Sequence, residues 1–464
     1  MKLRGLIFLF LVTTAIQMVQ SQQAYRLKKS TVTTIKVFER DSASLKVYVP
    51  KNFTTTIKWP LLFHVQIKQK ENTDFTTFCK VAEATGCIAV SIDVADKRSL
   101  KASIDNTTKY LNFCLTTFPI DKRRMYSIGE GIDAEFTGML PVWYKLFDGT
   151  IVINSTPNYG EISRFNHQFY YAGITNIRKY AYFDVMRTRK LLKQKGLPAE
   201  VYTVQNTTKI DKEIIRSLHA FKVRDMTRGK IEKDTIWMQR QYQEALEKVE
   251  QYLSNDEVVE AFYELRRIEN TFRFTSFHKD VKNQLDTLQR SSRFKVKKNK
   301  HDYHLVQEST WRSNLALAFQ EDVNNLAFYN LPWWNDQVKA LYKVRKHKSN
   351  KQAYWTYRVE DYLKTIIANA QLQVKKTETQ LFLAMLTYEI GVRSPETFFK
   401  IISYTALLGD YTTSLQFLEA LLQTGYQNIE SLYTIDHTLS LKITPEYNNM
   451  IKKYLGFSKY TAYQ

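Results

Sequence analysis

The sequence predicts an α/β fold: a domain built on a mainly parallel sheet, followed by an all-α region. Two observations carry this. From about residue 32 to 221, short β-rich runs alternate with stretches of helical length, the pattern of strands joined by crossover helices. From about residue 229 onward, apolar residues recur at spacings of three and four, while Gly and Pro become scarce.

In the first half, "ASLKVYVP" and "WPLLFHVQI" read as strands, "FTTFCKVAEATG" as a helix closed by Gly86, and "CIAVSIDV" as a buried strand. "LKASIDNTTKYLNFCLTTF" is a further helix. The stretch "RRMYSIGEGIDAEF" then runs as a strand from Arg124 to Ile128 into a glycine turn and a helix. "GTIVINS", "HQFYYAGIT" and "AEVYTV" complete the sheet, with the helix "YFDVMRTRKLLKQKG" before the last strand.

In the second half, "WMQRQYQEALEKVEQYL" and "VVEAFYELRRIENTF" form an antiparallel helix pair joined at "SNDE", with Ser254 or Asn255 as the cap. Residues 394–427 predict another hairpin. Gly409 and Asp410 make its turn, Ser414 permits close helix approach, and Leu418 and Leu421 fill the groove. That spacing resembles a tetratricopeptide repeat, a hairpin that buries its face by stacking on a neighbour. Trp333 and Trp334 are expected to pack a helix start, with Pro332 in its first turn.

A chain of 464 residues is long enough for two or three domains, and 44% apolar with 14% aromatic residues excludes wholesale disorder. Residues 1–21 begin with Lys2 and Arg4, continue in the apolar run "LIFLFLVTTAI" and end at Ser21, the pattern of a cleaved secretory signal. The domains expected are therefore 1–21 (signal), 22–228 (α/β) and 229–464 (helical), in an exported protein, periplasmic or secreted. No later segment approaches the roughly 20 apolar residues of a membrane span, so no integral membrane segment is expected after signal cleavage.

The net charge is +21, but Lys and Arg are spread along the chain, with one dense run at residues 293–301, read as a solvated linker face. Nucleic acid is not an expected partner. An acidic envelope polymer suits an exported basic protein better. The three cysteines, Cys79, Cys87 and Cys114, are buried thiols or make at most one disulfide. No metal-type Cys/His spacing occurs, and no cofactor is indicated. The Asn-x-Ser/Thr triplets at Asn52, Asn106, Asn154 and Asn206 are expected by chance in a Thr- and Asn-rich chain.

From residue 32 to 221 the order of elements resembles the esterase and depolymerase branch of the α/β-hydrolases. "LKVYVPKNFTTTIKWPLLFHVQI" resembles its opening hairpin and strand, "DKRRMYSIGEGIDAEF" its nucleophile elbow, and "FYYAGITN" with "AEVYTV" its last strands. The resemblance implies a serine at the elbow tip, a histidine after the last strand, a carboxylate after the strand before it, and backbone N–H groups for the oxyanion. Laid on Gly-x-Ser-x-Gly, "GEGID" puts Gly129 on the first glycine, Gly131 on the serine and Asp133 on the last glycine. Asn176 stands at the acid position. The segment around Asn206, where the histidine belongs, contains none; His219 lies in the following helix, where a structural role is expected. The segment after "WPLLFHV" has no glycine, and Asp133 is expected near the oxyanion position. His64 belongs to a strand and is not counted as the loop histidine. Ser127 and Glu130 are the two residues on which a shifted chemistry would have to rest.

The expected function is that of a catalytically inactive hydrolase-like domain joined to a repeat-like helical region that binds another protein or a peptide, or acts as a scaffold. The alternative is an active serine hydrolase or esterase with displaced catalytic residues.

Overall fold

A computed structural model describes residues 27–37, 44–67, 75–94, 99–162, 164–165, 168–205, 210–347 and 353–460. The predicted signal (residues 1–21) and Asn206 lie outside the described residues. The chain divides into two compact units. One comprises residues up to Asn176, Asp184–Gln251 and Tyr263–Leu285; the other comprises Ile177–Phe183, Tyr252–Phe262 and Asp286 onward.

The first unit is an α/β-hydrolase-like domain. Its strands are β1 (Val32–Ile35), β2 (Leu45–Tyr48), β3 (Trp59–Gln66), β4 (Ile88–Asp93), β5 (Ile120–Glu130), β6 (Gly149–Ile153), β7 (Tyr170–Asn176) and β8 (Ala199–Val204). They form an eight-stranded sheet in the order β1-β2-β4-β3-β5-β6-β7-β8. β2 pairs antiparallel with both β1 and β4, and every other pairing is parallel. Between the strands run α1 (Phe75–Thr85), α2 (Leu100–Thr117), α3 (Ile132–Thr137), α4 (Leu140–Tyr144), α5 (Tyr159–Ile162) and α6 (Ala181–Gln194); α7 (Ile210–Thr227) follows β8.

Alternation along the strands divides the core. Leu61, Phe63 and Val65 face a cluster that includes Tyr110 and Leu111 of α2, while Leu62 faces one with Phe78 of α1 and Leu218 and Phe221 of α7. The predicted strands all form, and β5 is longer than expected at both ends. Cys79, Cys87 and Cys114 are buried free thiols.

The remaining helices are α8 (Thr235–Ser254), α9 (Val258–Thr271), α10 (His278–Arg290), α11 (Ser292–Asn325), α12 (Leu331–His347), α13 (Tyr354–Gln373), α14 (Thr377–Glu389), α15 (Pro395–Leu407), α16 (Tyr411–Gln423), α17 (Ile429–Tyr433), α18 (Leu439–Lys442) and α19 (Pro445–Leu455). Two sequence expectations are corrected here. α8 runs through Ser254 and α9 begins at Val258, so neither Ser254 nor Asn255 caps the second helix. Residues 293–301 are not a linker but the first turns of the 34-residue α11, where Asp256 accepts Arg293 and Lys297. Of the Trp pair expected to pack the helix start, only Trp334 does so; Trp333 is exposed and meets Trp334 edge-on. Trp334 is fully buried and its Nε1 donates to Asp322 Oδ2 (2.7 Å), with Pro332 in the first turn of α12. Among the described residues no helix is long and apolar enough to cross a membrane.

Candidate functional site

The turn between β5 and α3 positions the site. Gly131 occupies its tip with φ 55° and ψ −126°, and its N–H donates to Ile153 O (2.9 Å). A positive φ of this kind is disfavoured for any residue with a Cβ, so glycine removes the strain a serine would store here. Gly129 has a different reason. A Cβ there would stand 2.4 Å from Thr137 Oγ1 and 2.8 Å from the backbone of α3, so only glycine lets the helix approach the strand this closely. Gly129 thus serves as the first glycine of an elbow, and Gly131 holds the position its resemblance assigned to the nucleophile.

The neighbouring strand ends meet the turn through amides. Asn154, just beyond β6, has a left-handed backbone (φ 53°); its Nδ2 donates to Glu130 Oε1 (3.1 Å), and its Oδ1 accepts the Asn176 N–H (3.0 Å). One hydrogen-bonded chain therefore joins the residue before Gly131 to the residue at the acid position. Ser155 Oγ donates to Glu135 Oε1 (3.1 Å) on the same side. Asn176 is thus linked through Asn154 to Glu130, the neighbour of Gly131 in sequence; Asn206 lies outside the described residues. Ser127 is fully buried and donates to Thr137 O (2.9 Å), with Thr150 Oγ1 at 2.8 Å, so its hydroxyl ties β5 to α3 and β6.

The last glycine of the elbow pattern is replaced by Asp133, which is 2% exposed. Its Oδ1 accepts the N–H of Ile67, the residue that follows β3 (2.8 Å). In a hydrolase of this fold the loop after that strand contributes an oxyanion N–H. Here an internal carboxylate accepts the N–H at the start of that segment. A carboxylate at that point also disfavours any second negative charge nearby.

Sequence reasoning missed one constellation. His64 Nδ1 and Ser91 Oγ are 2.8 Å apart, and His64 Nε2 lies 4.0 Å from Asp133 Oδ2. The signal lay in the register, since His64 on β3 stands directly beside Ser91 on β4. The imidazole is buried against the Phe78 ring (centroids 4.9 Å apart). Burial pushes its pKa down to about 4, with the Lys46 charge adding to the effect, so the ring is neutral near pH 7. His219, in α7, makes its Nδ1 contact with Gln241 Oε1 (2.6 Å), outside this site.

The sheet, its order and the β5–α3 turn define the class: an α/β-hydrolase-like domain followed by a helical region. No protein-family model matches the chain, and no curated protein matches it at a significant level. Similar solved structures include EstE1, a thermophilic carboxylesterase cloned from a metagenomic library (9% identity, covering 42% of this chain and 90% of that one, TM-score 0.34). They also include the S-formylglutathione hydrolase FrmB from Staphylococcus aureus (10%, 41% and 98%, TM-score 0.34) and an alpha-beta serine hydrolase homologue from Coxiella burnetii (11%, 42% and 100%, TM-score 0.33). The hydrolase-like fold stands on this chain's own strand order and elbow.

Proposed function

We propose that this is an exported, catalytically inactive hydrolase-like protein whose helical region binds a partner protein or peptide as a scaffold. The observation that carries the reading is the pairing of Gly131 at the elbow tip with Asp133 on the Ile67 N–H, which together leave the turn without a nucleophile and draw on the backbone of the oxyanion segment. Three further features support it. Asn176 keeps the shape of a triad acid without its charge, and an uncharged group cannot stabilise an imidazolium. The pair α15–α16 buries Ser414, Leu418 and Leu421 as a repeat hairpin would. The residues of 1–21 carry the composition of a secretory signal, and the charge of +21 suits an acidic envelope polymer as a further partner.

The second reading, an esterase with displaced residues, is favoured by the contact between Ser91 and His64. Against it, the Asp133 carboxylate is 4.0 Å from the ring, too far for a hydrogen bond, and Ser91 is 7% exposed. A base with a pKa near 4 is also a weak proton acceptor for a serine at neutral pH. A serine-directed fluorophosphonate separates the two readings. The expected result is no covalent adduct; an adduct mapped to Ser91 overturns the inactive reading in favour of the displaced site.

A further inference from the structure

A cavity of about 220 Å³ lies at the opposite ends of the strands from the elbow, where β3, β4 and β5 begin and α7 passes across them. Its charged lining is dominated by cations. Lys58, Arg124 and Lys222 all face it, with the neutral His219 one turn before Lys222 on α7. Among the described residues neither Lys58 nor Lys222 has an ion pair. Lys222 instead sits 4.3 Å over the Trp237 ring, and burial pulls its pKa down from the ordinary lysine value. A half-buried ammonium held on an aromatic face gains from an arriving anion.

Arg124 commits its Nε to Asp121 Oδ2 (2.9 Å) and its Nη2 to Lys58 O (3.3 Å). These two bonds fix the guanidinium, and no described residue takes its Nη1. The one acid in the lining, Asp225, has its charge engaged inside the protein. Its Oδ2 accepts Tyr126 Oη (2.6 Å), and Lys230 Nζ lies 3.6 Å from its Oδ1. The remaining walls include Ile57, Pro60 and the largely buried ring of Trp59.

We propose that this cavity binds a small phosphorylated organic molecule: the phosphate between Lys58, Lys222 and Arg124, and its apolar portion along Trp59 and Ile57. Three cations on one small cavity suit a dianion, and a fixed guanidinium suits phosphate oxygens. The cavity is smaller than the roughly 300–1,000 Å³ usual for drug-sized ligands, so the organic part is about a single ring. The site is independent of the elbow and of any hydrolase chemistry.

Calorimetric titration of the full chain at low salt tests this, with phenyl phosphate as probe and phenol and inorganic phosphate as comparators. Phenyl phosphate should saturate a single site, inorganic phosphate should bind more weakly, and phenol should not bind. Lys58→Gln and Lys222→Gln should each weaken phenyl phosphate about tenfold, or about 1.4 kcal/mol, while the exposed Lys279→Gln changes nothing. Lys58 is exposed, so its variant carries the test even if Lys222→Gln fails to fold. The proposal is overturned by no saturation at about 10 mM probe, by inorganic phosphate or phenol binding as tightly as phenyl phosphate, or by binding that survives in both lysine variants.

Discussion

Gly131 and His64 show how single residues decide what this turn can do. At Gly131 the backbone takes a positive φ at the tip of the β5–α3 turn, and the residue carries no side chain. Gly131→Ser would add a Cβ at positive φ and should cost about 1–3 kcal/mol in urea denaturation. It should also leave hydrolysis of a simple aryl ester at the level of a heat-killed control, because a serine without its base gains little and triad members act as a unit. Adding Asn176→Asp should not change that result. His64 makes a separate prediction. Its folded pKa of about 4 lies below the ordinary 6.5, so between those values the unfolded chain binds more protons than the folded one. The contribution is therefore fully present above pH 6.5 and is lost as pH falls toward 4, by about 2–3 kcal/mol. Other groups titrate in the same range, so the difference between wild type and His64→Gln isolates it. Stability measured at pH 7 and pH 4.5 should fall more for wild type than for the variant.

Among the elements, the α15–α16 hairpin was the most legible feature of the helical half, since its signals are local. Asp410 caps α16 by accepting the Thr413 N–H (3.0 Å), and Ser414 Oγ lies 2.7 Å from Thr405 Oγ1 across the pair. Ser414 is fully buried, as a small residue at a close helix approach should be. Ser414→Phe should overpack the pair and cost about 1–3 kcal/mol, read as a lowered thermal midpoint; an unchanged midpoint would remove Ser414 from the contact. The strands were equally legible, because period-2 alternation in "WPLLFHVQI" and the glycine turn after β5 are properties of consecutive residues. The Ser91–His64–Asp133 line was not. It depends on β3 and β4 pairing in a register that places His64 beside Ser91, and on α3 returning over the end of β3, neither of which leaves a trace in either segment alone. The amide chain through Asn154 was hidden for the same reason, compounded by that residue's left-handed backbone.

At the scale of the whole molecule, the change in sequence grammar near residue 229 and the division into compact units follow different physics. Composition changes where helices replace strands, but compactness follows packing, and the unit that holds the sheet continues through Gln251 and again from Tyr263 to Leu285. The partners of those later residues explain why. Glu264, 2% exposed, takes Arg216 at 2.5 Å and also pairs with Arg267. Arg267 donates Nη1 to Val201 O (2.9 Å) and lies 4.2 Å over the Tyr202 ring, while Asn270 Nδ2 donates to Glu200 Oε1 (2.8 Å). The last strand of the sheet and α7 are thus completed by α9, on the far side of the change in grammar. A chain ending at residue 228 would retain every strand but lose Glu264 from Arg216 and both hydrogen-bonding partners from the outer face of β8. Arg216 keeps Glu213, but hydrogen bonds to charged groups are worth about 1.5–3 kcal/mol each, a sizeable share of a domain's stability of about 5–15 kcal/mol. The chain ending at residue 228 should therefore unfold at markedly lower urea than one ending at residue 290. Equal midpoints for the two would mean that α9 adds nothing to the sheet unit and that the break at residue 229 is a true domain boundary.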